Sequence, residues 1–214
     1  YMIFGGDETT LGELDRRVNR FANGLAELGF KPGERVALML SNHPDHFYAF
    51  LACAKLGLVQ VPANIGLRGA SLEFLFSHAD PHGVIADGHF AELLVPALAG
   101  TKCRDVIWRG ARAEVPGRRV HCFGAVMEKG SDAPPPGDPG PEDVLSISYT
   151  SGTTGQPKGV MVTDSMFRAA AYGALRLGDI ENGDVLYLWE PLFHIGGSEV
   201  IVLAVFLDIT IALT

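Results

Sequence analysis

The sequence predicts an α/β fold, a mostly parallel sheet with helices on both faces. Short apolar runs alternate with segments of helical periodicity along the first hundred residues, the pattern of strands joined by crossover helices. The helical segments carry their own start and stop signals, and 47% of the 214 residues are hydrophobic, enough to fill a substantial core of one large domain or two small ones.

The elements follow in order. From Thr10 to Leu28, apolar residues at Leu11, Leu14, Val18, Phe21, Leu25 and Leu28 share one helical face. Thr10 and Glu13 match a capping box, and Gly29 suits a left-handed stop. Asp15, Arg16, Arg17 and Asn19 are expected on a solvated face. Arg35 to Leu40 reads as a strand buried on both sides. A helix then begins with Pro44 in its first turn, where a missing amide costs nothing, and stops at Gly57. His43 and His46 flank that start and are expected to be solvated, without a role. Val59 to Val61 is a strand, Ser71 to His78 a short helix, Gly83 to Ala86 a strand and Phe90 to Leu98 a helix.

Residues 131–141 hold five prolines and no apolar period, the mark of a stiff surface linker. The expected organisation is an N-terminal α/β part over 1–130, this linker, and the start of a second part over 142–214. Val144 to Tyr149 reads as a strand leading into an unusual Gly- and hydroxyl-rich stretch, and Asp164 as the N-cap of a later helix.

Composition excludes several classes. A net charge of −8 with 20% charged residues speaks against a nucleic-acid partner, which needs a basic stripe. Cys53, Cys103 and Cys122 are widely spaced and form no Cys-x-x-Cys pair, so buried free thiols are expected rather than disulfides or a zinc site. No apolar run reaches the roughly 20 residues of a transmembrane segment, because Asp208 interrupts the stretch that follows Val200. A cytoplasmic setting is expected.

Thr150-Ser151-Gly152-Thr153-Thr154-Gly155-Gln156-Pro157-Lys158-Gly159 gathers glycines, hydroxyls and one cation in one connection. Glycines let successive backbone amides turn inward as a concave donor array, hydroxyls add donors, and Lys158 adds a mobile positive charge, a combination suited to a polyphosphate. A plain Gly/Ser/Thr-rich hairpin is the alternative, although ten residues exceed the usual hairpin length. The Walker pattern is absent. His194, between apolar neighbours and ahead of Gly196 and Gly197, reads on its own as a hydrogen-bonded core residue. The two glycines either leave room for a substrate or permit a tight start to a helix.

The stretch Tyr149 to Val160 resembles the signature phosphate loop of the adenylate-forming (AMP-binding) superfamily, and Leu14 to Arg20, Gly33 to Ala37, Lys55 to Gly57 and Pro191 to His194 resemble its other landmarks in order. The resemblance implies activation of a carboxylic acid by ATP and Mg2+ to an acyl adenylate, then thioester formation with CoA, as in the acyl-CoA ligase branch. It makes Lys158 and His194 the candidate catalytic residues, His194 chiefly as lining of the acyl pocket. Thr150, Ser151, Gly152, Thr153, Thr154, Gly155 and Lys158 become the candidate ATP-phosphate contacts. Thr163-Asp164 stands where many family members carry a histidine. The family's adenine-binding segment and mobile C-terminal domain find no counterpart in these 214 residues, which alone are expected to turn over negligibly. An amino-acid adenylation domain, a generic nucleotide-binding domain and a non-catalytic module with a relict loop are the alternatives.

Overall fold

A computed structural model describes residues 1–150 and 157–213. The chain opens with a hairpin, β1 (Met2–Phe4) and β2 (Asp7–Thr9), followed by α1 (Leu11–Glu27), β3 (Arg35–Met39), α2 (Pro44–Lys55), β4 (Val59–Pro62), α3 (Gly69–Ala79) and β5 (Gly83–Asp87). A 3-10 turn leads into α4 (Ala91–Ala97), then β6 (Asp105–Arg109), β7 (Arg119–Cys122) and α5 (Phe123–Lys129). After residues 131–141 come β8 (Val144–Thr150), β9 (Lys158–Thr163), α6 (Asp164–Gly178), β10 (Val185–Leu188), α7 (Ile195–Phe206) and β11 (Thr210–Leu213).

Two sheets result. The larger has the order β7-β6-β5-β3-β4-β8-β9, parallel except for β9 at its edge. The smaller has the order β10-β11-β1-β2, in which β1 lies parallel to β11 and antiparallel to β2. Side-chain alternation along β3 explains the layering of the larger sheet. Val36, Leu38 and Leu40 join one apolar cluster with Phe21 and Leu25 of α1 and Phe47 and Phe50 of α2. Ala37 and Met39 join another with Leu72 and Phe76 of α3, Leu94 of α4 and Trp108 of β6. The first cluster also holds Met2, Ile211 and Leu213 of the smaller sheet, so the two sheets share a core.

The capping box at α1 is formed: Glu13 N donates to Thr10 Oγ1 at 3.2 Å and Thr10 N donates to Glu13 Oε2 at 2.9 Å. Gly29 and Gly57 take left-handed φ values of +88° and +65°, as stop signals require. Farther along, Phe21 stacks on Phe123 at 4.1 Å, and Gly24 lets α5 approach α1 at a point where a Cβ would lie 2.8 Å from Val126 Cγ1.

Several expectations are corrected. Asn19 is buried: its Nδ2 donates to Asp132 O at 3.0 Å and its Oδ1 accepts from Lys55 Nζ at 2.6 Å. Residues 131–133 cover that part of the polar face of α1, since Asn23 also donates to the carbonyls of Ser131 and Ala133. Apart from these corrections, the larger sheet draws strands from both sides of the Pro-rich stretch, since β8 pairs beside β4 with Gln60 opposite Ser146. Thr163, not Asp164, caps α6; its Oγ1 accepts from Met166 N at 3.3 Å, and Asp164 instead pairs with Arg168 in the first turn. His46 is buried, its Nδ1 without a hydrogen-bond partner among the described residues, and burial pushes its pKa down to about 4. His43 has a structural part too, its Nδ1 accepting from Asp45 N at 3.1 Å as the N-cap of α2.

Cys53 and Cys103 are buried free thiols, pushed by burial up to about 12 and about 11, and Cys122 is half-buried and free. No helix among the described residues is long and apolar enough to cross a membrane.

Candidate functional site

The carboxyl ends of β3, β4, β5 and β8 lie along one edge of the larger sheet, as their parallel registers require. In open α/β sheets this is the edge at which ligands bind, because the connections that leave it diverge and open a crevice. A cleft of about 440 Å³ lies there. Ser148, Tyr149 and Thr150 of β8 line it, together with Pro62 at the end of β4, Asn64 just beyond that strand, and Leu67 and Leu75 from around α3. Phe193 and His194, immediately ahead of α7, line the same cleft.

The loop strands form an antiparallel pair, β8 with β9, in which Thr150 faces Lys158 and Tyr149 faces Gly159. Thr150 and Lys158 therefore belong to strand ends rather than to the loop proper, and both side chains are exposed. Ser151, Gly152, Thr153, Thr154 and Gly155 lie outside the described residues, as does Gln156. Gly159 is required by close cross-strand approach: a Cβ there would lie 2.8 Å from Ile147 Cγ2 and 3.4 Å from the Tyr149 ring. That space lets the Tyr149 ring lie across β9. Its hydroxyl meets His78 Nδ1 at 2.6 Å, and the His78 ring in turn stacks on Phe74 at 5.4 Å. Burial raises the Tyr149 pKa above its ordinary value, so at neutral pH the phenol stays protonated and can donate to His78.

His194 is exposed at the N-cap position of α7 and makes no side-chain cap bond. It is not the buried histidine that its apolar neighbours suggest. Its ring packs beside Phe193 at 4.7 Å, at the cleft surface. The backbone around it is tightly tied: His194 N donates to Pro191 O at 3.0 Å, and Ser198 N donates to His194 O at 3.0 Å. Gly197 fits the second reading of the glycine pair, a tight helix start. A Cβ at that position would sit 2.8 Å from the Pro191 carbonyl carbon and closer still to its oxygen, so this glycine permits the tight start of α7.

The structure thus brings Thr150, Lys158 and His194 to one edge, with Thr150 and His194 on one cleft. Two contributors were not legible from the sequence. In the sequence His78 is only the end of a short helix, and Asn42 carries no signal. Asn42 Nδ2 donates to Glu190 O at 2.9 Å, and its Oδ1 accepts from Leu192 N at 2.9 Å. Among the described residues, no group of three or more His, Cys, Asp or Glu side chains is arranged to hold a metal ion.

Comparison with known proteins bears on the fold and the family. The chain is 33% identical over 190 residues to a feruloyl-CoA synthase of Amycolatopsis sp, covering 89% of this chain and 35% of the relative. It is 34% identical over 195 residues to 4-hydroxybutyrate--CoA ligase 1 of Metallosphaera sedula, covering 90% and 32%. The chain thus spans about a third of the length of these curated relatives. Among solved structures, the inhibitor-bound N-terminal domain of FACL13 from Mycobacterium tuberculosis superposes with a TM-score of 0.83 at 29% identity, over 95% of this chain and 50% of that one. ATP-bound MatB from Rhodopseudomonas palustris gives 0.83 at 25% identity, over 97% and 40%. The family model described as AMP-binding enzyme matches residues 1–213, so this chain belongs to the AMP-binding enzyme family.

Proposed function

We propose that the cleft is where ATP meets a carboxylic acid, and that the whole protein converts the acid to an acyl adenylate and then to a CoA thioester. The observation that carries this reading is that Thr150 and His194 line one cleft, with Lys158 across the strand pair from Thr150. The relatives' printed names support a CoA acceptor, and the ATP-bound neighbour supports the nucleotide. Those names span an aryl acid and a short hydroxy acid, so the acyl class of this protein stays open.

A carboxylate oxygen of the acid attacks the α-phosphorus of ATP. The bond from that phosphorus to the bridging oxygen breaks, and pyrophosphate leaves with the electron pair. The CoA thiol, losing its proton, then attacks the acyl carbon and AMP departs. The first step needs a departing group of several negative charges held and screened, which a nearby cation and hydroxyl donors accomplish by electrostatics and placement. Lys158 and Thr150 would supply that charge and one donor, together with the connection between them. Leu67, Leu75 and the Phe193 and His194 rings would surround the acyl group. Mg2+ enters as the counter-ion of ATP; the described cleft residues include no carboxylate to bind it.

The test is pyrophosphate release by the full-length protein against aromatic, short-chain and long-chain acids, with and without CoA. Release should depend on the acid, and a thioester should form only with CoA. Release without any acid would instead identify a simple nucleotide hydrolase, and none with any acid would leave the fold without this activity.

A further inference from the structure

The residues that line the cleft are carried by two different sheets. β8, with Thr150, is part of the seven-stranded sheet, whereas Phe193 and His194 follow β10 of the four-stranded one. Whatever fixes the distance between the sheets at this edge also fixes the width of the cleft. Asn42, in the connection from β3 to α2, spans that gap with both ends of its side-chain amide. Two bonds from one planar group set orientation as well as distance, as a short piece of strand ladder would.

The clamp engages the acceptor and the donor on either side of Pro191, which has no N–H of its own. From there the backbone bonds Pro191 to His194 and His194 to Ser198 continue into α7, and Gly197 packs against the same peptide. The other end is equally anchored. Ser41 N donates to Asp87 Oδ2 at 2.9 Å, Asp87 is bridged to Arg109, and His43 packs edge-on against Phe4 at 4.9 Å. An unbroken series of bonds thus runs from β5 and β6 through Asn42 to His194.

We infer that Asn42 is a positioning residue for the acyl side of the site: it sets where Phe193 and His194 stand relative to β8. The inference rests on the reading of the cleft as the acid and ATP site. Asn42→Ala removes both bonds. Asn42→Asp keeps the acceptor for Leu192 N but cannot donate to Glu190 O, and its near-identical shape makes it the variant of choice should alanine prevent folding.

The experiment measures KM for the acid and KM for ATP in the full-length protein, in the Asn42 variants, in His194→Ala and in the double variant. Displacement of reacting groups by about 1 Å costs up to about a hundredfold, so either Asn42 variant should raise KM for the acid about tenfold or more, with KM for ATP within about twofold. In the His194→Ala background the Asn42 effect should largely vanish, because residues acting through one another are not additive. The inference is overturned if the Asn42 variants lose thermal stability but keep KM for the acid while His194→Ala raises it. It is equally overturned if the Asn42 effect persists in full in the double variant. An unchanged KM for the acid in His194→Ala would show instead that the assignment of the cleft had failed.

Discussion

The two edges of the seven-stranded sheet use their polar residues in opposite ways. At the amino ends of the strands, charges close on one another: both Arg104 Nη atoms donate to Glu34 at 2.7 Å, and the buried Asp105 carboxylate accepts from Arg119 at 2.7 Å and His121 at 2.8 Å. Arg104, through these bonds, holds Glu34 below the usual carboxylate range. At the carboxyl ends, among the described residues, Asp87 is the carboxylate tied up in this way, by Arg109 and Ser41 N, while Ser148, Thr150 and His194 line an open cleft. Parallel strands put every β-to-α connection on that second edge. The comparison teaches that one edge is satisfied internally and serves stability, whereas the other keeps groups available for a ligand.

The largest effect that would break this contrast is on activity. Lys158→Ala in the full-length protein should lower acid-dependent pyrophosphate release about 10²- to 10³-fold with little change in melting temperature, since the side chain is exposed. Equal release by the variant would remove the loop from the mechanism.

Next comes pH. The folded pKa of His46, about 4, lies below the ordinary 6.5, so the unfolded chain binds the extra proton between these values. Stability is therefore fully present above pH 6.5 and lost as pH falls through 4. The shift corresponds to about 3 kcal/mol. Urea unfolding between pH 7 and 4 should show that loss, and His46→Gln should flatten the profile.

At the closed edge, Asp105→Ala leaves three cationic or protonatable partners without their carboxylate and should destabilise by about 2 kcal/mol, less than a fully buried pair would because Arg119 is half exposed to water. Turnover per folded molecule should be retained, and its loss would show that the two edges are not functionally separate. The smallest effect belongs to Thr10→Ala, which removes the α1 cap at a cost of about 1 kcal/mol, measured by thermal melting, with kinetics unaltered.

How much was legible in the sequence follows the range of the interactions. The first helix and its cap, β3, β4 and β5 were legible because period and cap residues lie within a few positions of one another. The loop from Thr150 to Lys158 was legible because its chemistry is contiguous. β6, β7 and α5 were not assigned: Asp105–Arg109 has three apolar residues between charged ends, and Arg119–Cys122 alternates too briefly to show a period. Asn42 and His78 were invisible as site residues because their partners lie about 150 and 71 positions away. Burial of Asn19 and His46 has the same origin. A polar side chain on a helix gives no local sign that residues 131–133 will cover Asn19, or that Asp87 and Arg109 of neighbouring strands will lie near His46.

The most direct test of the contrast is hydrogen–deuterium exchange on the full-length protein, with and without ATP and an accepted acid. Slower exchange is expected in peptides covering the end of β8, the start of β9 and the turn from Glu190 to Ile195, with no change in those covering β6 and β7. Protection confined to the charged edge around Asp105 and Arg119, with none at β8 or the 190–195 turn, would contradict the placement of the site.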